Sequence, residues 1–295
     1  MWNDLLKYIR EGNIKALARA ISLIENEQEG YIEFLQSLEV LNTPVIGITG
    51  PQGAGKSTLT DALIEMIVQQ NKKVGVLCVD PSSPFSSGAL LGDRIRMSTW
   101  YNHSNVFIRS LASRGNVGGV NPKAIEITSV MQAAKFDYII IETVGAGQNE
   151  VEIAGIADKV IVVLIPDSGD EIQTLKSGIM EIADIFVINK SDRPDAAMFI
   201  KNLKNSLSFK KDKLIPIVST VATTKQGIDE LMNEVQHDLS ASSTEKKIQL
   251  LAGKAFYLIR EQRMKNISKQ QLEEGISALI KTNNFNLYKF IKQYL

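Results

Sequence analysis

The sequence predicts an α/β protein with a three-layer, doubly wound and mostly parallel sheet, flanked by an N-terminal and a C-terminal helical extension. From residue 44 onward, short β-branched runs alternate with stretches of helical period, and this alternation implies right-handed crossovers between parallel strands. Residues 160–165 are apolar without interruption, which is typical of a strand covered by helices on both faces. The candidate strands are residues 45–49, 74–79, 106–110, 137–141, 159–165, 184–189 and 214–218.

Helices are predicted before and after this alternating region. Residues 4–40 carry apolar side chains near helical period, and Gly12 with Asn13 divides them into two short helices. Residues 240–244 are rich in serine and threonine, which predicts a linker, and the chain beyond them has a helical pattern. The predicted parts are an N-terminal helical extension, a central domain and a C-terminal helical segment, at residues 1–41, 42–238 and 239–295.

Composition limits the classes of function. Lysine plus arginine and aspartate plus glutamate number 33 each, so no general field of one sign favours nucleic acid or an anionic membrane as a partner. Cys78 is the one cysteine, which excludes an internal disulfide and suits a reducing compartment. No apolar run approaches the roughly 18 residues of a membrane-spanning helix, and residues 1–7 lack the pattern of a secretory signal. A cytoplasmic protein is expected.

The stretch from Gly50 to Ser57 decides the function class, because it fits G-x-x-x-x-G-K-[ST] between a predicted strand and a predicted helix. Its glycines let backbone N–H groups face a phosphate at a helix N-terminus. Lys56 is expected to reach the β- and γ-phosphates, and the Ser57 hydroxyl to ligate Mg²⁺. The central domain is therefore predicted to be a P-loop NTPase. The predicted nucleotide contacts in this stretch are Gly50, Gln52, Gly53, Ala54, Gly55, Lys56, Ser57 and Thr58.

A second motif predicts which nucleotide is bound. Asn189, Lys190 and Asp192 form an N-K-x-D element at the end of a predicted strand. The carboxylate of Asp192 can accept hydrogen bonds from the N1–H and exocyclic amine of guanine, whereas adenine would leave it unpaired. Asn189 is expected to brace the neighbouring loops, and the stem of Lys190 to cover the base. GTP and GDP are the predicted ligands, with a helix cap at Asp192 as the alternative.

Acidic residues at two further strand ends predict a Mg²⁺ site. Asp80 and Glu142 each follow a predicted strand. Mg²⁺ prefers octahedral oxygen coordination and keeps several waters, so one or two carboxylates near the phosphates suffice. Asp93 lies in a loop that could close over the metal. The predicted metal ligands are Ser57, Asp80, Asp93 and Glu142.

Catalysis is predicted to depend on positioning and charge neutralisation, as phosphoryl transfer generally does. The predicted catalytic residues are Lys56, Glu142 and Gln148, the last of which either orients the attacking water or contacts a partner. Gly145 is predicted to present a backbone N–H to the γ-phosphate. No arginine finger is identifiable in the sequence, so intrinsic hydrolysis is expected to be slow and to rise when a partner orders the loops.

Several segments around the predicted site occur together in one known family. They are residues 79–84 (VDPSSP), 91–97 (LGDRIRM), 142–148 (ETVGAGQ) and 184–190 (DIFVINK), preceded by residues 18–25 (ARAISLIE). In this combination the chain resembles the methylmalonyl-CoA-mutase-associated GTPases of MeaB/ArgK type. The resemblance runs from about residue 5 to 235, with a weaker match in the C-terminal helices.

The resemblance implies a homodimeric GTPase that chaperones an adenosylcobalamin-dependent acyl-CoA mutase. Such proteins gate loading of the mutase cofactor and protect the mutase from inactivation, with GTP hydrolysis as a timer. Residues 170–176 match a mobile segment that communicates with the mutase, and residues 239–295 would form the dimerisation arm.

The resemblance also assigns individual residues. Lys56 and Ser57 match its phosphate and Mg²⁺ positions, and the acids of its metal-linked switch regions match Asp80, Asp93 and Glu142. Its guanine motif matches Asn189, Lys190 and Asp192, with serine in place of the familiar alanine at position 191. The family's Ser-Ala guanine loop is replaced by residues 219–222, so only the backbone of Ala222 is assigned to the guanine oxygen.

Three other functions compete with this one. A nickel-delivery GTPase would share the sheet and motifs, but it needs Cys/His clusters, and the chain offers Cys78, His103 and His237 only. A small-molecule kinase would use the same phosphate loop, yet it would have no use for a guanine-recognising Asp192. The third is an interaction module that binds GTP without hydrolysing it.

Overall fold

The computed structural model describes residues 1–39, 42–80, 97–112, 121–143, 150–166, 178–208, 215–240, 244–281 and 285–294. By its internal contacts the chain forms two compact units, Met1–Lys247 and Ile248–Leu295. The sheet and the phosphate loop belong to the first unit, and the second is helical.

The predicted α/β fold is confirmed by a seven-stranded sheet in which every neighbouring pair is parallel. The strand order is β3-β2-β4-β1-β5-β6-β7, so the strand before the phosphate loop is central. Its strands are β1 (Val45–Thr49), β2 (Val74–Asp80), β3 (Val106–Ala112), β4 (Tyr138–Glu142), β5 (Lys159–Leu164), β6 (Ile185–Ile188) and β7 (Ile217–Ser219).

The last strand begins later than the predicted residue 214. Pro216 has no N–H to donate to a strand ladder, although its carbonyl accepts a 2.9 Å hydrogen bond from the Phe186 amide. Regular pairing therefore starts one residue further on, where Ile217 is in register with Phe186. As a result β7 is only three residues long.

Helices cover the sheet because nearly every residue of its central strands is apolar and buried. One face packs against the helices that follow the phosphate loop and β7, with Leu63, Ile67, Leu231 and Val235 in the core. The helices of the first unit are α1 (Trp2–Arg10), α2 (Ile14–Glu25), α3 (Tyr31–Gln36), α4 (Lys56–Gln69), α5 (Ala124–Ala133), α6 (Ile179–Ile182), α7 (Ala196–Ser208) and α8 (Ile228–Ser240), with short 3₁₀ turns at Ser98–Trp100 and Glu150–Gly155.

The N-terminal helices pack onto this unit. The break predicted at Gly12 and Asn13 is present, and the Asn13 side chain caps α2 by accepting a 3.0 Å hydrogen bond from the Ala16 amide. Arg109 of β3 reaches α2, where it forms a 2.6 Å ion pair with Glu25. These contacts tie the N-terminal helices to one edge of the sheet.

Aspartates mark the entrances to three consecutive strands. Asp137, Asp158 and Asp184 directly precede β4, β5 and β6. Each carboxylate accepts a hydrogen bond from a backbone amide at the start of a neighbouring strand, from Lys73 (2.7 Å), Val45 (2.8 Å) and Val160 (3.0 Å) respectively. At the end of the sheet opposite the phosphate loop, these side chains thereby satisfy backbone amides where the strands begin.

Asp184 is the most strongly held of the three, because Lys246 also donates to it at 2.6 Å. Burial acts to raise the pKa of Asp184, but the hydrogen bond and charge of Lys246, the Val160 amide and the charge of Lys159 outweigh it. The pKa of this carboxyl therefore lies below its ordinary value of 3.8.

The second unit contains most of α9 (Thr244–Met264), then α10 (Lys269–Lys281), α11 (Leu287–Ile291) and a 3₁₀ turn at Lys292–Tyr294. Neither α9 nor α10 has a buried residue, whereas Phe290 of α11 is only 5% exposed. Large apolar side chains remain exposed here, with Phe256 and Tyr288 at 70% and 78%. No helix among the described residues is long and apolar enough to cross a membrane.

Candidate nucleotide site

The phosphate loop lies between β1 and α4 and depends on two glycines. Gly50 has a φ of +139° and Gly55 a φ of +89°, both in the region that L side chains rarely adopt. A Cβ on Gly50 would lie 2.1 Å from the Val163 carbonyl oxygen, and one on Gly55 would lie 2.3 Å from Asn189 Nδ2. The motif therefore needs glycine at both positions for space as well as for conformation.

The loop ends at the N-terminus of α4, which has no side-chain cap. Gly55 is its N-cap and offers no side-chain hydrogen bond, and the first turn contains no acidic residue. The amides of a first helical turn, together with the helix dipole, attract an anion. A phosphate is the ligand that this arrangement suits.

Lys56 begins α4 and bends back over the loop. Its ammonium donates to the carbonyl oxygens of Gly50 (2.7 Å) and Pro51 (3.1 Å), and the residue is 8% exposed. These bonds hold a positive charge beside the backbone amides of the loop. The contact of Lys56 with the β- and γ-phosphates stays a prediction.

Ser57 and Glu142 form a buried pair although they are 85 residues apart. The Ser57 hydroxyl donates to Glu142 Oε1 at 2.6 Å, and the two residues are 7% and 2% exposed. They meet because Glu142 closes β4, where it is in register with Ile48 of β1 just before the loop. Hydroxyl and carboxylate oxygens are the hard ligands that Mg²⁺ prefers, so this pair fits the predicted metal site.

Other predicted site residues are only partly described. Asp80 ends β2 at the same edge of the sheet, two positions beyond Cys78, which is in register with Glu142. Outside the described residues lie Asp93, Gly145, Gln148 and the segment 170–176. Their roles stay predictions.

Asn189 joins the base side of the site to the phosphate loop. Its Nδ2 donates to the Ala54 carbonyl at 2.9 Å, while its Oδ1 accepts from the Thr220 hydroxyl at 3.2 Å and from the Ala222 amide at 3.1 Å. At 2% exposure the amide is almost fully buried. It thus acts as the brace that the sequence predicted.

Lys190 and Asp192 follow on the surface. Lys190 has a φ of +55°, and its ammonium donates to the Gly53 carbonyl at 3.0 Å, which extends its stem along the phosphate loop. Asp192 is exposed, and it lies four residues before α7 begins at Ala196, so it is not the cap of that helix. Recognition of guanine by its carboxylate stays a prediction.

The Ala222 amide has a different partner from the predicted guanine oxygen. It donates to Asn189 Oδ1, so binding guanine as well requires this N–H to be shared between two acceptors. The assignment to guanine stays a prediction on that condition. The loop around it is closed by an antiparallel bridge between Val221 and Gln226, and Lys225 pairs with Glu65 of α4.

Sequence reasoning missed several buried hydroxyls that hold the site together. Thr60 lies 2.9 Å from Glu142 Oε2, Thr220 bonds Asn189, and the hydroxyls of Thr49 and Thr143 are 2.9 Å apart at the ends of β1 and β4. All four are at most 2% exposed. These hydroxyls could have been predicted from one signal, which is a threonine at a position that the helical or strand pattern assigns to the core.

The described residues contain no group of three or more histidine, cysteine or acidic side chains that could hold a metal ion. Cys78 is fully buried within β2, and His237 is exposed on α8. This part of the chain therefore offers no support for nickel delivery.

Phosphate loops occur in kinases and ATPases as well as GTPases, but here the loop is fastened to an N-K-x-D segment by a buried asparagine, as a P-loop GTPase requires. The chain belongs to the family described as methylmalonyl Co-A mutase-associated GTPase MeaB, whose model matches residues 17–281. It is a GTPase of that family.

Individual relatives agree. A putative GTPase of Pyrococcus abyssi is 41% identical over 95% of this chain and 84% of its own length. GTPase ArgK of Escherichia coli is 33% identical over 97% of this chain and 88% of its own. Among solved structures, a LAO/AO transport system kinase superposes with a TM-score of 0.68 at 25% identity, covering 99% of this chain and 96% of that one.

Proposed function

We propose that this GTPase is a nucleotide-gated chaperone of an adenosylcobalamin-dependent acyl-CoA mutase of the methylmalonyl-CoA type. It gates loading of the mutase cofactor and protects the mutase from inactivation, with GTP hydrolysis as the timer. The observation that carries the proposal is the family match over residues 17–281, because the family is named for its association with that mutase. The single cysteine suits action in the reducing cytoplasm.

Phosphate binding uses the loop and the start of α4. Backbone N–H groups between residues 50 and 58, where Pro51 has none, surround the phosphates, and the ammonium of Lys56 neutralises charge on the β- and γ-groups. The bonds of Lys56 to the Gly50 and Pro51 carbonyls support this role, since they hold the ammonium over the loop. Preorganised charge of this kind needs little rearrangement during the reaction.

Metal binding uses oxygen ligands from two strand ends, from the first turn of α4 and from the loop that contains Asp93. The hydrogen-bonded pair of Ser57 and Glu142 would hold Mg²⁺, with Asp80 and Asp93 as further oxygen ligands. When bound, Mg²⁺ supplies neutralisation of the charge that develops on the β- and γ-phosphate oxygens. Gly145 contributes a backbone N–H to the γ-phosphate, and Gln148 orients the attacking water.

Guanine recognition uses the exposed carboxylate of Asp192 and the stem of Lys190 against the base, while Asn189 braces the neighbouring loops. Asp192→Asn replaces an acceptor by an amide, which can donate to the C2 carbonyl of xanthine. Calorimetry with the Mg²⁺ complexes of GTP and xanthosine triphosphate should show the preference shift toward xanthosine triphosphate by at least about tenfold, a change of roughly 1.4 kcal/mol. An unchanged ranking of the two nucleotides would refute the assignment to Asp192.

The chaperone role is tested with the mutase of the same organism. Single-turnover GTP hydrolysis should accelerate at least about tenfold when the mutase orders the loops around the γ-phosphate, a barrier change of roughly 1.4 kcal/mol. The Lys56→Ala protein, checked for folding by circular dichroism, should not bind GTP and should show no acceleration with the mutase. Equal rates with and without the mutase, combined with no complex on gel filtration, would remove the proposal.

A further inference from the structure

Thr60 has a contact that its place on α4 does not require. It lies one helical turn after Lys56, is fully buried, and its hydroxyl oxygen is 2.9 Å from Glu142 Oε2 and 3.0 Å from the Lys56 carbonyl oxygen. Buried threonines in helices commonly bond the carbonyl four residues earlier. The carboxylate contact crosses 82 residues of sequence to the end of β4.

A hydroxyl carries one proton, so Thr60 can donate to one of these acceptors at a time. A hydrogen bond to an ionised carboxylate is shorter and about twice as strong as one to a neutral acceptor. The Thr60 hydroxyl therefore donates its hydrogen bond to Glu142 whenever that carboxyl group is ionised, as it is when it holds a cation. Both oxygens of Glu142 then have a hydroxyl donor, Ser57 on one and Thr60 on the other.

Two donors orient a carboxylate where one does not. The last torsion of a glutamate side chain is broad, so each hydrogen bond to the carboxylate narrows the range of orientations of its plane. The second bond at Oε2 fixes that plane. Partners that orient metal ligands in this way typically change metal affinity or activity by about 10- to 100-fold when they are removed.

We propose that Thr60 is a positioning residue of the Mg²⁺ site, whose hydroxyl fixes the Glu142 carboxylate so that Ser57 and Glu142 meet the metal already oriented. The inference rests on the metal site proposed above. Thr60 itself is not proposed as a metal ligand, because the contact on which the inference is based joins its hydroxyl to the Glu142 carboxylate.

The test measures metal binding directly, with Mn²⁺ added to the metal-free GDP complex and followed by electron paramagnetic resonance. Thr60→Val keeps the shape of the side chain and removes the hydroxyl, and it should weaken Mn²⁺ binding about tenfold. Thr60→Ser restores the hydroxyl and should stay within about threefold of the unmodified protein. GDP affinity in the absence of metal should be unchanged in both.

Thr128→Val is the matched control. Thr128 lies on α5, is 2% exposed, and donates to the carbonyl four residues earlier at 2.6 Å with no carboxylate beside it. Its replacement likewise removes a buried threonine hydroxyl from a helix, but one that does not contact Glu142, and should leave Mn²⁺ binding unchanged. If Thr60→Val does not fold, Thr60→Ala removes the hydroxyl in a better helix former and takes its place.

The outcomes separate this inference from the site on which it rests. If Ser57→Ala weakens Mn²⁺ binding but Thr60→Val stays within twofold of the unmodified protein, the role of Thr60 is wrong and the metal site stands. If Ser57→Ala also has no effect, the metal site itself is wrong. Equal losses in Thr60→Val and Thr128→Val would assign the effect to helix packing and overturn the inference.

Discussion

A single buried amide assembles the nucleotide site from distant parts of the chain. Asn189 bonds Ala54, 135 residues earlier, and Ala222, 33 residues later, while it sits almost fully buried. Each buried polar group that lost this partner would cost about 1–3 kcal/mol. Asn189 alone satisfies buried polar groups in both loops. Any change that displaces its side chain therefore disturbs the phosphate loop and the loop at residues 220–222 together.

Two glycines of the phosphate loop provide a matched pair for this dependence. Gly53 and Gly55 have φ values of +80° and +89°, but a Cβ on Gly53 meets nothing within 4 Å, whereas one on Gly55 collides with Asn189. Alanine at either position adds backbone strain of about 1–2 kcal/mol. Only Gly55→Ala also displaces Asn189.

We therefore expect Gly55→Ala to lower GDP affinity by about 100-fold, or roughly 2.7 kcal/mol, and Gly53→Ala by no more than about tenfold. Calorimetry on the two folded variants measures both values. Equal losses of GDP affinity in the two variants would contradict the prediction, because they would show that the contact with Asn189 does not affect binding.

At the scale of elements, the three aspartates before β4, β5 and β6 share one task. Each places a carboxylate on an amide at the start of an adjacent strand, so the ladder is closed at the end opposite the nucleotide. Buried amides without a partner are costly, and these bonds satisfy the first amides of the sheet. They also differ in environment, since Asp184 is buried beside Lys246 and Asp137 is exposed.

This difference predicts unequal effects of two identical substitutions. Asp184→Asn should lower the free energy of unfolding by about 2–3 kcal/mol at pH 7, because it removes a buried charge-assisted bond, and Asp137→Asn by no more than about 1 kcal/mol. Denaturant unfolding at several pH values checks both. Losses of the same size would contradict the special position of Asp184.

The pH dependence follows from the lowered pKa of Asp184. The unfolded group has the higher pKa, so its contribution to stability is complete above that value and is lost as the pH falls through the lower pKa of the folded state. The gap between the unmodified protein and Asp184→Asn should therefore be constant from pH 7 to about pH 5 and close below the ordinary value of 3.8. A gap that widens on acidification would show that the sign is wrong.

At the scale of the whole molecule, the two units differ in their large apolar side chains, which are mostly buried in the first unit and exposed along α9 of the second. Ile248, Leu251, Phe256 and Ile259 recur along one side of α9 and are each more than half exposed. Exposed apolar side chains that share one side of a helix can form an interaction site. We propose that it serves the homodimer that the family resemblance implies.

Light scattering on the full chain should give about twice its mass of 32.6 kDa. Phe256→Glu places a charge on this surface and should return the protein to the monomer mass. Met198→Glu is the control, because Met198 is 62% exposed on α7 of the first unit. A Phe256→Glu protein that stays dimeric would move the interface elsewhere.

The central sheet could be predicted because its strands are covered on both faces and therefore stay apolar from end to end. The motif residues could be placed because fixed spacing puts Lys56 and Ser57 at the start of the helix that follows β1, and Asn189 directly after β6. The hydroxyls of Thr60 and Thr220 could not, since their partners lie 82 and 31 residues away and only the folded sheet brings them together. The edge strand was misplaced because the sequence pattern gives no weight to the missing N–H of Pro216.

That missing N–H has a consequence beyond the boundary of β7. A sheet that ends in a long, regular strand invites a second chain to add to it, and proteins avoid this with short outer strands, prolines and charges. Here one margin is three residues long and preceded by Pro216, and the other carries Arg109, whose charge is matched by Glu25. The β7 margin therefore offers too little regular backbone for a second copy of this protein to add a strand there.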